Sequence, residues 1–214
     1  MGTKNTIGFQ QKEGDLPGST IQIGHTSTWR QTDDMRPLPA IPPPVATGGH
    51  VLFLDFDGVL HPEDVHRRAG RGPYIASPSG HVLFEHAPLL ADVLRPYPDI
   101  RVVLSTSWVR WYRSVHRVAR KLPPELKARV VGATYHEDTD EESFSQAPRG
   151  MQIWSDVLRR KPAGWLAVDD DYLHWPTWCR EQLVRSDEVL GISAPHVLDE
   201  LRAKLRLLHE PQAQ

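Results

Sequence analysis

From His50 onward, short apolar runs recur at 51–54, 101–104, 129–133, 164–168 and 188–192. They are near-continuous and rich in β-branched residues, the pattern of strands buried on both faces of a parallel sheet. Between them, stretches at 88–94, 108–122, 151–160 and 195–208 suit amphipathic helices. Strand and helix in alternation predict an α/β fold: a doubly wound, mainly parallel five-stranded sheet with helices on both faces and right-handed crossovers. In such sheets ligands bind beyond the carboxyl ends of the strands, so the residues that follow each apolar run carry the chemistry.

Residues 1–48 break this texture. They are rich in Gly, Ser, Thr, Gln and Pro and finish in the run Arg36-Pro-Leu-Pro-Ala-Ile-Pro-Pro-Pro44. Such a segment buries too little apolar surface to fold, and it reads as a disordered, proline-rich tail or linker ahead of a domain over 49–210. The run also fits the polyproline II segments that aromatic grooves bind, although a semi-rigid linker is the simpler account.

Composition narrows the classes further. A chain of 214 residues, 39% hydrophobic and 24% charged, supports one domain of ordinary size. A net charge of −2 supplies no global attraction to nucleic acid or anionic lipid, so either partner must be met by a local patch. The lone cysteine, Cys179, excludes an internal disulfide and a Cys-rich zinc site. No apolar run reaches the roughly 18 residues of a membrane span and no secretory signal opens the chain, so a cytoplasmic protein with no membrane partner is expected.

The strand ends hold the candidate chemistry. The first run leads into Asp55-Phe-Asp57-Gly58. Two carboxylates at the end of a buried strand are unfavourable unless a cation or donors compensate them, and the pair suits a hard ion such as Mg²⁺; a plain Asp57-Gly58 turn is the alternative. The second run ends in Ser105-Thr106-Ser107, the fourth in Asp169-Asp170-Asp171, and Arg149 opens the helix that leads into the fourth. Singly, Ser105 or Thr106 could cap the helix near Trp108, Asp171 a turn, and Arg149 could sit in solvent. Hydroxyls, acids and a cation arriving together at one edge argue for a site.

Here the chain resembles the haloacid dehalogenase-like phosphohydrolases (HAD) over residues 50–208. Their first motif, an apolar strand followed by D-x-D-G-[TV]-[LV], is matched by Asp55-Phe-Asp-Gly-Val-Leu60; their second, a strand ending in Ser or Thr, by Val102-Val-Leu-Ser105; their fourth, a strand ending in acids, by Trp165-Leu-Ala-Val-Asp-Asp170. The third motif, a Lys or Arg ahead of the last acidic strand, is met by Arg149 or Lys161. Arg149 is preferred because the start of the intervening helix lies nearer the carboxyl edge. The phrases Leu-Asp-Phe-Asp-Gly-Val-Leu-His-Pro62 and Leu-Ser-Thr-Ser-Trp108 resemble the small domains grouped with Swiss-army-knife RNA repair proteins.

The resemblance implies a HAD-like Rossmannoid fold without a large cap, and a Mg²⁺-dependent phosphatase. Asp55 is then the nucleophile that forms an aspartyl-phosphate, and Asp57 the acid and base that serves the leaving oxygen and the water. The metal falls to Asp55, the Asp57 main-chain carbonyl and Asp169 or Asp170, with Asp171 directed elsewhere. Ser105, Thr106 and Arg149 hold the substrate phosphate. Family members confined to halide or anhydride chemistry tend to lack the second acid, so Asp57 favours phosphomonoesters.

Substrate features are sparser. The segment 61–86 carries Arg67, Arg68 and Arg71 and reads as a short flap or as a solvated loop. Within the expected helix 108–122, Trp111, Val115, Val118 and Leu122 mark a buried stripe, and Arg110, Arg113, Arg117 and Arg120 a basic face that could follow the phosphates of a polyanion. The expected substrate is thus a phosphorylated nucleic-acid end. The rival readings are a small-metabolite phosphatase, a phosphotransferase, and a non-catalytic binding module acting through its proline-rich tail.

Overall fold

The computed structural model describes residues 41–210 apart from 69, 71 and 77–79. In chain order its strands are β1 (His50–Leu54), β2 (Val65–Arg68), β3 (Gly72–Ile75), β4 (Arg101–Leu104), β5 (Val130–Ala133), β6 (Gly164–Asp169) and β7 (Leu183–Arg185). Its helices are α1 (Ala87–Leu94), α2 (Trp108–Tyr112), α3 (Val115–Ala119), α4 (Pro124–Lys127), α5 (Glu141–Gln146), α6 (Arg149–Arg160) and α7 (Pro195–His209), and a 3-10 turn covers Thr177–Gln182.

β1 lies at the centre of a five-stranded sheet of order β5-β4-β1-β6-β7, and every pairing in it is parallel. Side chains alternate across a strand, so Leu52 and Leu54 enter one hydrophobic layer with Val102, Leu104 and Val168, covered by residues of α1 and α7. Val51 and Phe53 enter the opposite layer with Val103 and Ala167, covered by Ile153 and Val157 of α6 and by Trp175. Both layers exclude water, which is why β1 reads as an unbroken apolar run. No helix among the described residues is long and apolar enough to cross a membrane.

Three expectations change. The fifth strand is Leu183–Arg185, not 188–192. In the latter stretch the Asp187 carboxylate accepts from the backbone N–H groups of Val189 and Leu190, and Gly191 adopts φ 53, so the chain turns instead of extending. The expected helix 108–122 breaks at Arg113, whose left-handed φ of 46 closes α2, and Ser114 restarts α3 by accepting from Arg117 N at 3.3 Å. The four arginines therefore do not share one helix, and Arg113 pairs with Glu141 at 3.3 Å. Thirdly, part of 61–86 forms an antiparallel hairpin of β2 and β3, with Arg67 and Arg68 on β2; Arg71 lies outside the described residues.

Packing also starts ahead of the boundary at 48 read from composition. The Pro42 carbonyl accepts from Arg159 at 2.6 Å, the Ala46 carbonyl from Arg160 at 2.7 Å, and Gly48 N donates to Arg160 O at 3.0 Å. Arg160 is itself buried and paired with the buried Asp156 at 2.8 Å. Residues 1–40, including the first five positions of the proline run, lie outside the described residues. Deleting 1–48 removes the Ala46 acceptor from the buried Arg160 guanidinium, together with the Pro42 and Gly48 bonds, whereas deleting 1–40 leaves all three in place. The longer truncation is expected to be less stable than the shorter by about 1–3 kcal/mol, measured by denaturant titration of the two proteins.

Candidate active site

Three neighbouring strands deliver the site side by side. Asp55 follows β1, Ser105 and Thr106 follow β4, and Asp169 ends β6 with Asp170 next to it. Backbone bonds continue the ladder past the strand ends: Asp55 N donates to Val168 O at 3.2 Å and Ser105 N to Leu54 O at 2.9 Å. The fourth contributor is Arg149, the first residue of α6 after Pro148.

Arg149 binds this edge together. Its Nη2 donates to Asp55 Oδ2 at 3.0 Å and its Nη1 to the Ser105 carbonyl. Its Nε lies 3.3 Å from Asp169 Oδ2 but off the angle of a hydrogen bond, so the two are an ion pair in which neither buried atom has a hydrogen-bond partner. Lys161, the other candidate for this position, caps the far end of α6 in a left-handed conformation at φ 48.

Burial sets the electrostatics. Asp55 and Asp169 are almost wholly inaccessible, and desolvation raises both carboxyls above their ordinary range, against the lowering pull of Arg149. Asp170 is pushed up to about 7, first by burial and then by the charges of Asp55 and Glu63. Burial disfavours the charge on Arg149, but Asp55 and Asp169 outweigh it and hold the guanidinium more firmly cationic than usual. Asp55 Oδ1 accepts from Phe56 N at 2.7 Å, and this donor, with the Thr106 hydroxyl, favours the charged carboxylate against burial. Ser105 Oγ is buried without any partner.

Asp57 is held differently. Trp108 Nε1 donates to both its oxygens, at 2.9 and 3.0 Å, and His61 Nε2 lies 3.1 Å from Oδ1. Neither His61 nor Trp108 figures in the sequence reading as a site residue, although both stand inside the two phrases that carry the family resemblance. Gly58, at φ 64, brings the backbone against Asp170, where any Cβ would collide with the Asp170 carboxylate. Asp171 is occupied in a turn: its N–H donates to Asp169 Oδ1 at 3.1 Å and its own Oδ1 accepts from Leu173 N at 3.2 Å.

The carboxylates line an open cleft of about 490 Å³, bordered by Asp57, Arg149, Glu63, Glu188, Trp111 and Tyr172 among others. Val65 of the hairpin also lines it, and Arg67 lies over the Trp111 ring at 5.4 Å. Asp55, Asp169 and Asp170 each offer an oxygen within 4.8 Å of the others, a grouping that can hold a metal ion. The buried, unpartnered Asp169 Oδ2 and the raised carboxyls fit this, since a cation supplies the missing partner. A second cluster, His50, Asp99 and His209, has its polar atoms paired with one another, His50 to Asp99 at 3.0 Å.

A pH-dependent metal response follows. A carboxyl raised to about 7 in the fold binds a proton that the unfolded chain releases at lower pH, so without metal this group withdraws stability as pH rises towards about 7. A cation needs the deprotonated form, so its stabilisation grows over the same interval. The rise in Tm on adding Mg²⁺ is expected to be small at about pH 5 and to approach the equivalent of about 2.7 kcal/mol at about pH 8 and ~100-fold excess over Kd. Thermal denaturation with Mg²⁺ and with chelator measures it, and an equal or larger shift at the lower pH contradicts it.

Comparison with curated proteins and with solved structures gives no match. The family described as the HAD domain in Swiss Army Knife RNA repair proteins matches residues 51–197, well over half of the chain and every strand end described above. With the five-stranded parallel sheet and the absence of a large cap among the described residues, the chain belongs to that family of HAD domains.

Proposed function

We propose that the protein is a Mg²⁺-dependent phosphomonoesterase that forms an aspartyl-phosphate on Asp55. The family supports HAD-type phosphatase activity in general. The observation that carries the finer reading is that Arg149 bonds both Asp55 and the Ser105 carbonyl beside a grouping of acids suited to a cation, with the buried Ser105 hydroxyl left unpartnered. In the first step an Asp55 carboxylate oxygen bonds to phosphorus, the bond to the leaving oxygen breaks, and Asp57 gives that oxygen a proton. In the second step water attacks the phosphorus, Asp57 recovers a proton from it, and the bond to Asp55 breaks. Arg149 and the Ser105 hydroxyl hold non-bridging oxygens of the phosphoryl group. Thr106 keeps Asp55 oriented. Mg²⁺ would be held by Asp55, Asp169 or Asp170 and the Asp57 main-chain carbonyl, and would supply positive charge to offset the repulsion of the nucleophile and the phosphate dianion.

The substrate we infer is a phosphorylated nucleic-acid end. The family is that of HAD domains in RNA repair proteins, and an open cleft gives a small molecule few walls while leaving room for a chain. Glu63 and Glu188 on the rim repel further phosphates, so a strand leaves along the Trp111 and Arg67 side, where a base can stack and a phosphate can pair. Arg110, Arg113 and Arg117 do not share one helix and Arg113 is paired with Glu141, so together they add only diffuse attraction. Phosphate release from 5′- and 3′-phosphorylated oligonucleotides, mononucleotides and sugar phosphates, with Mg²⁺ and with chelator, tests the reading. Oligonucleotide ends are expected to show the higher kcat/KM, with an advantage that shrinks as salt rises. Better turnover of mononucleotides or sugar phosphates at every salt concentration assigns the enzyme to small metabolites instead.

A further inference from the structure

Asp57 is followed after four residues by His61 and after fifty-one by Trp108, yet both rings end on its carboxylate. His61 is completely buried, and its Nδ1 accepts from the Phe84 backbone N–H at 3.2 Å. An imidazole that accepts at Nδ1 carries its proton on Nε2, so the bond to Asp57 Oδ1 runs from His61 as donor. Phe84 holds its N–H there at a left-handed φ of 64, a conformation unfavourable by roughly 1 kcal/mol for a residue with a Cβ. The Phe84 ring sustains it by packing edge-on against Phe56, His61 and Trp108 at 5.1–5.3 Å between centroids.

The two donors are distributed unequally. Oδ1 receives both Trp108 Nε1–H and His61 Nε2–H, while Oδ2 shares only the Trp108 proton. We propose that His61 and Trp108 are positioning residues that clamp Asp57 through Oδ1 and leave Oδ2 to exchange the proton with the leaving oxygen and then with water. The inference rests on the acid–base role given to Asp57 above. Both donors keep their own protons throughout; the one that moves passes from Asp57 Oδ2 to the leaving oxygen and is replaced from the attacking water. The clamp also accounts for the joint presence of the phrases ending in His61-Pro62 and Ser107-Trp108, which carry one half of it each.

A merely structural role, in which Asp57 satisfies two buried N–H groups, predicts the same bonds but different kinetics. Trp108→Phe and His61→Phe remove one donor each and keep an aromatic ring, whereas His61→Gln returns an N–H close to the position of Nε2. With an alkyl phosphate, whose leaving oxygen needs a proton, kcat is expected to fall by about 10- to 100-fold in the two Phe variants. With p-nitrophenyl phosphate, whose leaving group departs as the anion, the fall is expected to stay within about threefold. His61→Gln should keep most of the alkyl phosphate activity, and neither Phe substitution should lower the activity of Asp57→Asn further. Nitrogen-15 NMR of the wild type should show His61 protonated on Nε2 only, a reading that requires no variant to fold. Equal losses on both substrates, additive losses with Asp57→Asn, or an Nδ1-protonated His61 overturn the clamp while leaving the phosphatase reading intact. A wild type that releases phosphate from neither substrate nor any oligonucleotide overturns that reading, and the clamp with it.

Discussion

Asp55→Asn is expected to lower phosphate release by about 10³-fold or more while the protein stays folded. The amide keeps the shape of the side chain but loses the nucleophilic oxygen and one of the three carboxylates grouped for the cation. Stability should change little, because two effects oppose each other. The wild-type carboxylate is held in a place where burial disfavours its charge, with Asp57 adding repulsion, and the amide removes both. Against this, Arg149 loses its partner at 3.0 Å but retains Asp169 at 3.3 Å. Phosphate release and thermal denaturation of the same preparation separate the effects: near-normal turnover removes Asp55 from the chemistry, and an unfolded protein shows that its ion pair is structural. The stabilisation by Mg²⁺ should also weaken in this variant.

Arg149→Met should damage both stability and turnover. Without the guanidinium, Asp55 and Asp169 remain as two buried carboxylates, each already pushed up by burial, with the charge of Asp57 raising Asp55 further and that of Asp55 raising Asp169 further. Removing one partner of a buried charge group destabilises by about 3–5 kcal/mol, which in a domain of this size corresponds to a fall in Tm of roughly 6–20 °C. The sign of its pH dependence is fixed. The orphaned acids take up protons in the fold more readily than in the unfolded chain, so the deficit shrinks as pH falls and grows as it rises. Turnover should drop by about 10²- to 10³-fold, the usual effect of losing a donor to a developing charge. Arg149→Lys restores a cation and part of the stability, but an ammonium cannot reach Asp55 and the Ser105 carbonyl with the planar fork that Arg149 uses. Unchanged Tm and turnover in Arg149→Met contradict the account.

What could be read from the sequence depended on whether the signal was local. The sheet core was legible because strands buried on both faces must be apolar at nearly every position, as 51–54 and 101–104 are. Asp55, Asp169 and Asp170 stood out because acids directly after such runs contradict their surroundings. β7 was missed because it has only three residues and one of them is exposed, while the apolar stretch after it is bent by the Asp187 carboxylate. The break at Arg113 carries neither Gly nor Pro, and its only local signal is Ser114 as the following N-cap. The β2–β3 hairpin escaped because Val65–Arg68 is mostly exposed and lacks alternation. His61 and Trp108 gave no sign of acting together, since residues fifty-one positions apart from Asp57 meet it only once β1 and β4 are paired.

The central claim is that phosphate passes through a covalent bond to Asp55. Its most direct test is to quench the enzyme in acid during turnover of a phosphorylated oligonucleotide and to locate the phosphoryl group by mass spectrometry of the digested protein. Asp57→Asn should be run alongside the wild type with p-nitrophenyl phosphate, whose leaving group needs no proton, because loss of the base then slows only the second step and lets the intermediate accumulate. The account predicts one phosphoryl group on the peptide that contains Asp55, more abundant in Asp57→Asn and absent from Asp55→Asn. Phosphate released at the wild-type rate with Asp55 unmodified throughout, or a phosphoryl group on any other residue, would contradict it.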